Sequence, residues 1–311
     1  MINNNILTYI NENSDYVTVN IDKVYAFLND IDNLKYDYWL DNIDLLKTEK
    51  EKIIFVFICE SMNFCFWGNK KWIVKYKNQD YHGSEALFYS LIKAIDESKL
   101  VLNLKNLENM DQNKFESIME SDGELPPLIE ERYCLFKETI KIMNQKGETF
   151  FEELFSLKSD EELLEYIVNN INHFDDKSEF KGKTIHFNKR AILLVNDLYN
   201  LSETIRKNIK NINNLIGCAD YSIPRLLMVN KIFEYNNELS NVIMTKIPIE
   251  HNSQMEVEIR GNTLYVLELM KNILKEKNID FNSVELDNII WKMRNHINND
   301  IPVHQTESIY Y

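Results

Sequence analysis

The sequence predicts a mainly α-helical protein organised as one domain over residues 1–311, and three observations carry that expectation. Only seven Gly and five Pro occur, and no Gly-, Ser- or Pro-rich linker or internal repeat marks a boundary. Apolar residues recur at helical spacing through most of the chain after Gly83. A hydrophobic fraction of 44% is enough to fill the core of a unit this long.

Taken in order, residues Ile53 to Cys59 form an apolar run rich in β-branched and aromatic side chains. Asn63-Phe64-Cys65-Phe66-Trp67-Gly68 and Trp72-Ile73-Val74-Lys75-Tyr76 follow it, so residues 53–77 read as a small hairpin or short sheet, the only sheet expected. Ser84 reads as the N-cap of a helix that sets Leu87, Leu91 and Ile95 on one face. Pro126-Pro127 starts another helix carrying Leu128, Cys134, Leu135 and Ile142, and Gly147 stops it. Helical patterns then cover 160–170, 185–199, 224–235, 257–277 and 284–299.

Charge and composition restrict the function. Lys plus Arg total 35 against 49 Asp plus Glu, a formal charge of −14. Such a surface repels a polyanion, so long nucleic acid is not an expected partner, whereas a local cationic cluster can still bind a single nucleotide. Four cysteines without a CxxC pair point to reduced thiols and a cytoplasmic setting. The first residues lack a basic stretch followed by an apolar run, and no apolar segment of about 18 residues occurs, so neither secretion nor a membrane span is expected. There is no HExxH, zinc-spaced Cys/His cluster, GxGxxG, Walker A loop or GxSxG elbow, and the six histidines are scattered. Neither a metal nor a cofactor is expected.

Four segments carry polar groups in suggestive places. In Ala219-Asp220-Tyr221-Ser222-Ile223-Pro224-Arg225, Pro224 fits a first helical turn and Asp220 falls just ahead of it. A carboxylate there either caps the helix or, favoured in its charged form by the helix N-terminus, stabilises a developing cation. Lys189, in Asn188-Lys189-Arg190-Ala191, shares a face with Ile185, Ile192 and Leu193, so it either snorkels or points into a cavity. Glu256 and Arg260, in Glu256-Val257-Glu258-Ile259-Arg260-Gly261, have the spacing of a helical ion pair. The chain ends Ser308-Ile309-Tyr310-Tyr311, which suits a tail docked on the body rather than a frayed one.

Together with Asn63-Phe64-Cys65-Phe66-Trp67 and Pro126-Pro127-Leu128-Ile129-Glu130-Glu131-Arg132, these segments, in this order from about Asn63 to Tyr311, resemble the queuosine 5′-phosphate N-glycosylase/hydrolase, or queuosine salvage, family. The resemblance implies a largely helical fold similar to helix-hairpin-helix DNA glycosylases. It also implies cofactor-free release of the base queuine from queuosine 5′-phosphate or queuosine. The chain departs from the family pattern at Ser222, Gln305 and Glu307, where arginines are usual, and at Lys292, where Asp is common; Arg225 is a gained cation.

On this resemblance Asp220 stabilises the sugar cation and orients or deprotonates water, while Lys189 holds Asp220 charged or contacts the leaving base. Phe66, Trp67 and Tyr221 stack on or enclose the base, or pack the core. Asp197 or Glu258 pairs with the cationic amine of queuine. Arg190, Arg225, Arg260 or helix N–H groups meet the phosphate, with His304 and Tyr311 contributed by the tail. The lost arginines predict a weak preference for the monophosphate over the nucleoside. Two other readings are a non-catalytic binding protein on the same fold and a DNA base-excision glycosylase; the net charge and the lack of a Gly-rich hairpin loop count against the second.

Overall fold

The computed structural model describes residues 4–30, 35, 36, 38, 44–68, 71–294 and 301–311. Among these residues there are fifteen α-helices and three antiparallel two-stranded sheets.

The apolar run Ile53–Cys59 lies within a helix, Glu49–Ser61, and not in a sheet. A capping box starts this helix: the Glu51 N–H donates to Thr48 Oγ1 at 3.1 Å, and the Thr48 N–H donates to Glu51 Oε2 at 2.9 Å. Every residue from Ile53 to Ser61 is buried. A helix enclosed on all sides has no polar face, so its sequence shows no 3.6-residue period, and its β-branched and aromatic content then reads as strand.

The hairpin expected there is confined to Ile73–Tyr76 paired with Gln79–His82. Lys77 and Asn78 both adopt positive φ at its turn, 47° and 64°, as a tight two-residue connection requires. Two further pairs replace the single expected sheet. Lys177–Phe180 pairs with Lys183–His186, which removes residues 185 and 186 from the expected helix and leaves it as Lys189–Leu201. Val17–Val19 pairs with Phe233–Tyr235, and the helix read over 224–235 is instead Ser222–Val229.

Other elements follow their local signals. The helix Asp160–Asn170 is capped by Ser159, whose hydroxyl accepts from the Glu162 N–H at 3.1 Å. Gly147, at φ 54°, ends the helix Ile129–Lys146. Ser84 is the first helical residue of Ser84–Asp96, with Gly83 as its N-cap. The last two long helices are Gln254–Glu276 and Ser283–Met293; residues 295–299 of the expected final helix lie outside the described residues.

Two apolar clusters meet around the candidate site. The larger packs Glu49–Ser61 against Lys189–Leu201 and Ile129–Lys146, with Phe55, Phe57, Ile140 and Leu194 fully enclosed. The second surrounds Gln254–Glu276 and takes in Leu226, Leu227, Leu286 and Ile290. Each such side chain removed from water contributes about 1.5–3 kcal/mol, which stabilises the packed walls on either side of the cleft. Gly261 allows the first helix, Asn4–Glu12, to lie directly on Gln254–Glu276: a Cβ at 261 would stand 2.7 Å from Ile10 Cδ1.

Candidate active site

The helix Glu49–Ser61 ends beneath the site with its last carbonyls held by two buried guanidinium groups. Arg190 Nη1 donates to the Ser61 carbonyl at 2.5 Å, and its Nη2 donates to that of His173. Arg132 donates to the carbonyls of Met62, Phe64 and Cys65 and lies 4.6 Å from the centre of the Phe66 ring. Cations at a helix C-terminus satisfy carbonyls that have no intrahelical partner. Burial pulls both guanidinium groups down, Arg132 to about 9 and Arg190 to about 10. The segment they support presents Asn63, Phe66 and Trp67 to the cleft.

Lys189 is the first residue of its helix, behind Asn188 in a left-handed conformation at φ 48°. A cation at a helix N-terminus opposes the macrodipole, typically by 0.3–1 kcal/mol, so helix stability does not explain a lysine there. It is 8% exposed, and its ammonium makes no hydrogen bond or ion pair to the described residues. Asp220 lies ahead of another helix. Its Oδ1 accepts from the N–H groups of Ser222 and Ile223 at 2.8 and 3.0 Å, so it caps that helix while bordering the cleft.

The cleft has two chambers joined at Asn63, Ser84, Lys189, Asp220 and Trp291, which line both. The inner chamber, about 290 Å³, holds Glu60, Glu85, Asp197, Asp220 and Asp287 against Lys189 and Lys292. The outer, about 550 Å³, reverses the balance: among the described residues, Lys71, Lys189, Arg225, Lys246 and Arg294 face a single carboxylate, Asp220. Burial pushes the Glu60 carboxyl up to about 7, against the Asn63 amide and the charges of Lys189 and Arg190. Asp287 is raised well above the ordinary carboxylate range, first by burial and then by the charge of Asp220. An acidic chamber opening into a cationic one suits a ligand with a cation at one end and an anion at the other. No group of three or more His, Cys, Asp or Glu side chains among the described residues is placed to hold a metal ion.

The pattern of the queuosine salvage protein family matches residues 43–311. The chain belongs to that family. A relative from Bos taurus named queuosine 5′-phosphate N-glycosylase/hydrolase is 30% identical, covering 85% of this chain and 83% of its own. The protein of the same name from Mus musculus is 31% identical over 82% and 81% of the two chains. One from Sphaerobacter thermophilus is 25% identical over 88% and 84%.

The segments by which the sequence resembles the queuosine salvage family separate into two groups in space. Lys189 and Asp220 border both chambers, Phe66, Trp67, Tyr221 and Arg225 the outer, and Asp197 the inner, where it accepts from the Tyr38 hydroxyl at 3.1 Å. Arg190, Glu258, Arg260, His304 and Tyr311 border neither. Arg190 holds the end of the helix Glu49–Ser61, as described above. Glu258 accepts from the N–H groups of Asp15 and Tyr16 at 2.9 and 2.6 Å and anchors the first strand. Arg260 pairs with Asp176 at 2.5 Å and Glu256 at 3.4 Å, with the Tyr311 ring 4.2 Å away. Tyr311 docks as the terminal dipeptide suggested: its carbonyl accepts from the Cys65 N–H at 2.9 Å, tying the tail to the loop beside the cleft.

Glu60, Asn63, Asp287, Trp291, Lys71, Lys246 and Arg294 join the site without having been singled out from the sequence as site residues. A glutamate closing an apolar run was a usable signal for Glu60. Asp287 carries none, because acidic residues occur throughout this chain.

Proposed function

We propose that the chain hydrolyses the N-glycosidic bond of queuosine 5′-phosphate and releases queuine, the activity named for its relatives. The observation that carries this reading is the joint position of Lys189 and Asp220 between chambers of opposite charge. The cationic amine of queuine suits the acidic inner chamber, with Asp197 or Glu60 as its partner, and the 5′-phosphate suits the cationic outer one. C1′ then falls at the junction. Bond breaking develops positive charge on the sugar, which Asp220 stabilises, and negative charge on the base, which Lys189 meets. The absence of a Lys189–Asp220 ion pair favours this second role for the lysine over one of holding Asp220 charged. Phe66, Trp67 and Tyr221 enclose the sugar and phosphate side.

We further infer one domain with the architecture of helix-hairpin-helix DNA glycosylases, acting in the cytoplasm on a small molecule without a cofactor. No helix among the described residues is long and apolar enough to cross a membrane. The deciding experiment incubates purified protein with queuosine 5′-phosphate and measures free queuine by mass spectrometry. Binding without release would replace the enzyme by a nucleotide-binding protein on the same fold.

A further inference from the structure

Asp287 has no part in the chemistry described so far. It stands on the helix Ser283–Met293 and lines the inner chamber. Its Oδ1 accepts from the Cys218 N–H at 2.9 Å, which fastens it to the short segment that presents Asp220. Its other oxygen makes no hydrogen bond to the described residues. Gly217 permits the approach: a Cβ there would lie 2.8 Å from Leu267 Cδ1 and 3.4 Å from Asp287 Oδ1.

The reaction needs a group of this kind. Queuine is a 7-deazaguanine, so the departing base cannot be assisted by protonation at N7, and its charge has to be neutralised at another ring nitrogen. Lys189 offers a charge, and Asp220 is engaged with two backbone N–H groups on the sugar side. We propose that Asp287 is the general acid that protonates the departing base. The inference rests on the glycosidase reading above.

As the C1′–N9 bond breaks, its electron pair passes to the base, and the Asp287 carboxyl gives its proton to a ring nitrogen, becoming a carboxylate. Water then forms the C1′–O bond and loses a proton to Asp220; exchange with solvent removes that proton from Asp220 and returns one to Asp287. The products are queuine, its ring uncharged and its side-chain amine still cationic, and ribose 5-phosphate. Two carboxyl groups with different surroundings thus divide the acid and anion roles. Burial and the charge of Asp220 favour the protonated form of Asp287; the Cys218 N–H and Lys189 oppose it. Among the described residues, the other ionisable groups that line the chamber are Glu60, Glu85, Asp197, Lys292, the hydroxyls of Tyr81 and Tyr89, and the Cys218 thiol, which burial keeps protonated.

The test is Asp287→Asn in the full chain, since Asn keeps an acceptor for the Cys218 N–H but cannot transfer a proton. kcat and KM are measured against pH with queuosine 5′-phosphate and with 4-nitrophenyl β-ribofuranoside 5-phosphate, whose nitrophenolate departs without protonation. Wild-type kcat on the natural substrate should fall as pH rises and Asp287 loses its proton. In the variant kcat should drop by about 10²–10⁴-fold with KM little changed and that alkaline limb gone, while the nitrophenyl substrate is cleaved at near wild-type rate. Asp287→Glu should restore part of the activity and the alkaline limb. Equal losses on both substrates, or an unchanged alkaline limb in Asp287→Asn, would overturn the proposal. Wild-type protein inactive on queuosine 5′-phosphate would instead overturn the activity itself, and the proposal with it.

Discussion

Lys189 opens one helix and Asp220 stands just ahead of another, so the two charged side chains that border both chambers among the described residues are each fixed by a helix start. Asp220 complements the partial positive charge of its helix and Lys189 opposes that of its own. The unfavourable placement is the more informative, because helix stability does not account for it.

Replacing Asp220 by Asn separates the two duties of the carboxylate. Asn caps a helix about as well as Asp, so the bonds from Ser222 and Ile223 are kept and the fold is expected to survive. Loss of charge beside the sugar cation should lower kcat by about 10²–10³. Near-normal turnover by a folded variant would reduce Asp220 to a cap.

Chelation should leave the rate unchanged, because the proposed chemistry runs through Asp220, Lys189 and Asp287 alone. The measurement is turnover before and after dialysis against EDTA. Inactivation reversed by one divalent ion would contradict it.

The tail should couple stability to acidification. Burial holds the His304 imidazole down to about 4, despite the charge of Glu256, below the unfolded value of about 6.5. Between these values the unfolded chain binds the extra proton, so stability is fully present above about pH 6.5 and falls as pH drops towards 4, by at most about 3.4 kcal/mol. The melting temperature should decline over that window, and less so in His304→Gln. Removing Tyr310 and Tyr311 should lower it at every pH and impair activity, because Tyr311 is buried against Arg260 and holds the Cys65 N–H. Equal melting and activity for the truncated chain would mark the tail as dispensable.

The outer chamber changes the expectation about phosphate. The substitutions at Ser222, Gln305 and Glu307 pointed to weak discrimination, but Lys71, Arg225, Lys246 and Arg294 line the same space as Ser222 and Gln305. A charge-assisted contact contributes about 1.5–3 kcal/mol, so kcat/KM for the monophosphate should exceed that for the nucleoside by about a hundredfold, equivalent to ~2.7 kcal/mol. Arg225→Gln should remove a good part of that ratio. A ratio near one would restore the weaker preference read from the lost arginines.

From sequence alone came the helical class, the cap at Asp220, the helix Asp160–Asn170, the stop at Gly147 and the docking of the terminal tyrosines. Each of these follows from local chemistry, a cap, a breaker or an apolar period, which acts within a few residues of chain. Tertiary structure alone decided that Ile53–Cys59 is helix, because complete enclosure erases the amphipathic period that would distinguish it from a strand. It also decided that Arg190, Glu258 and Arg260 serve the frame while Glu60 and Asp287 face the chamber. A charged residue reads alike in sequence whether it meets a backbone carbonyl, another charge or a ligand; the long-range packing around it selects which.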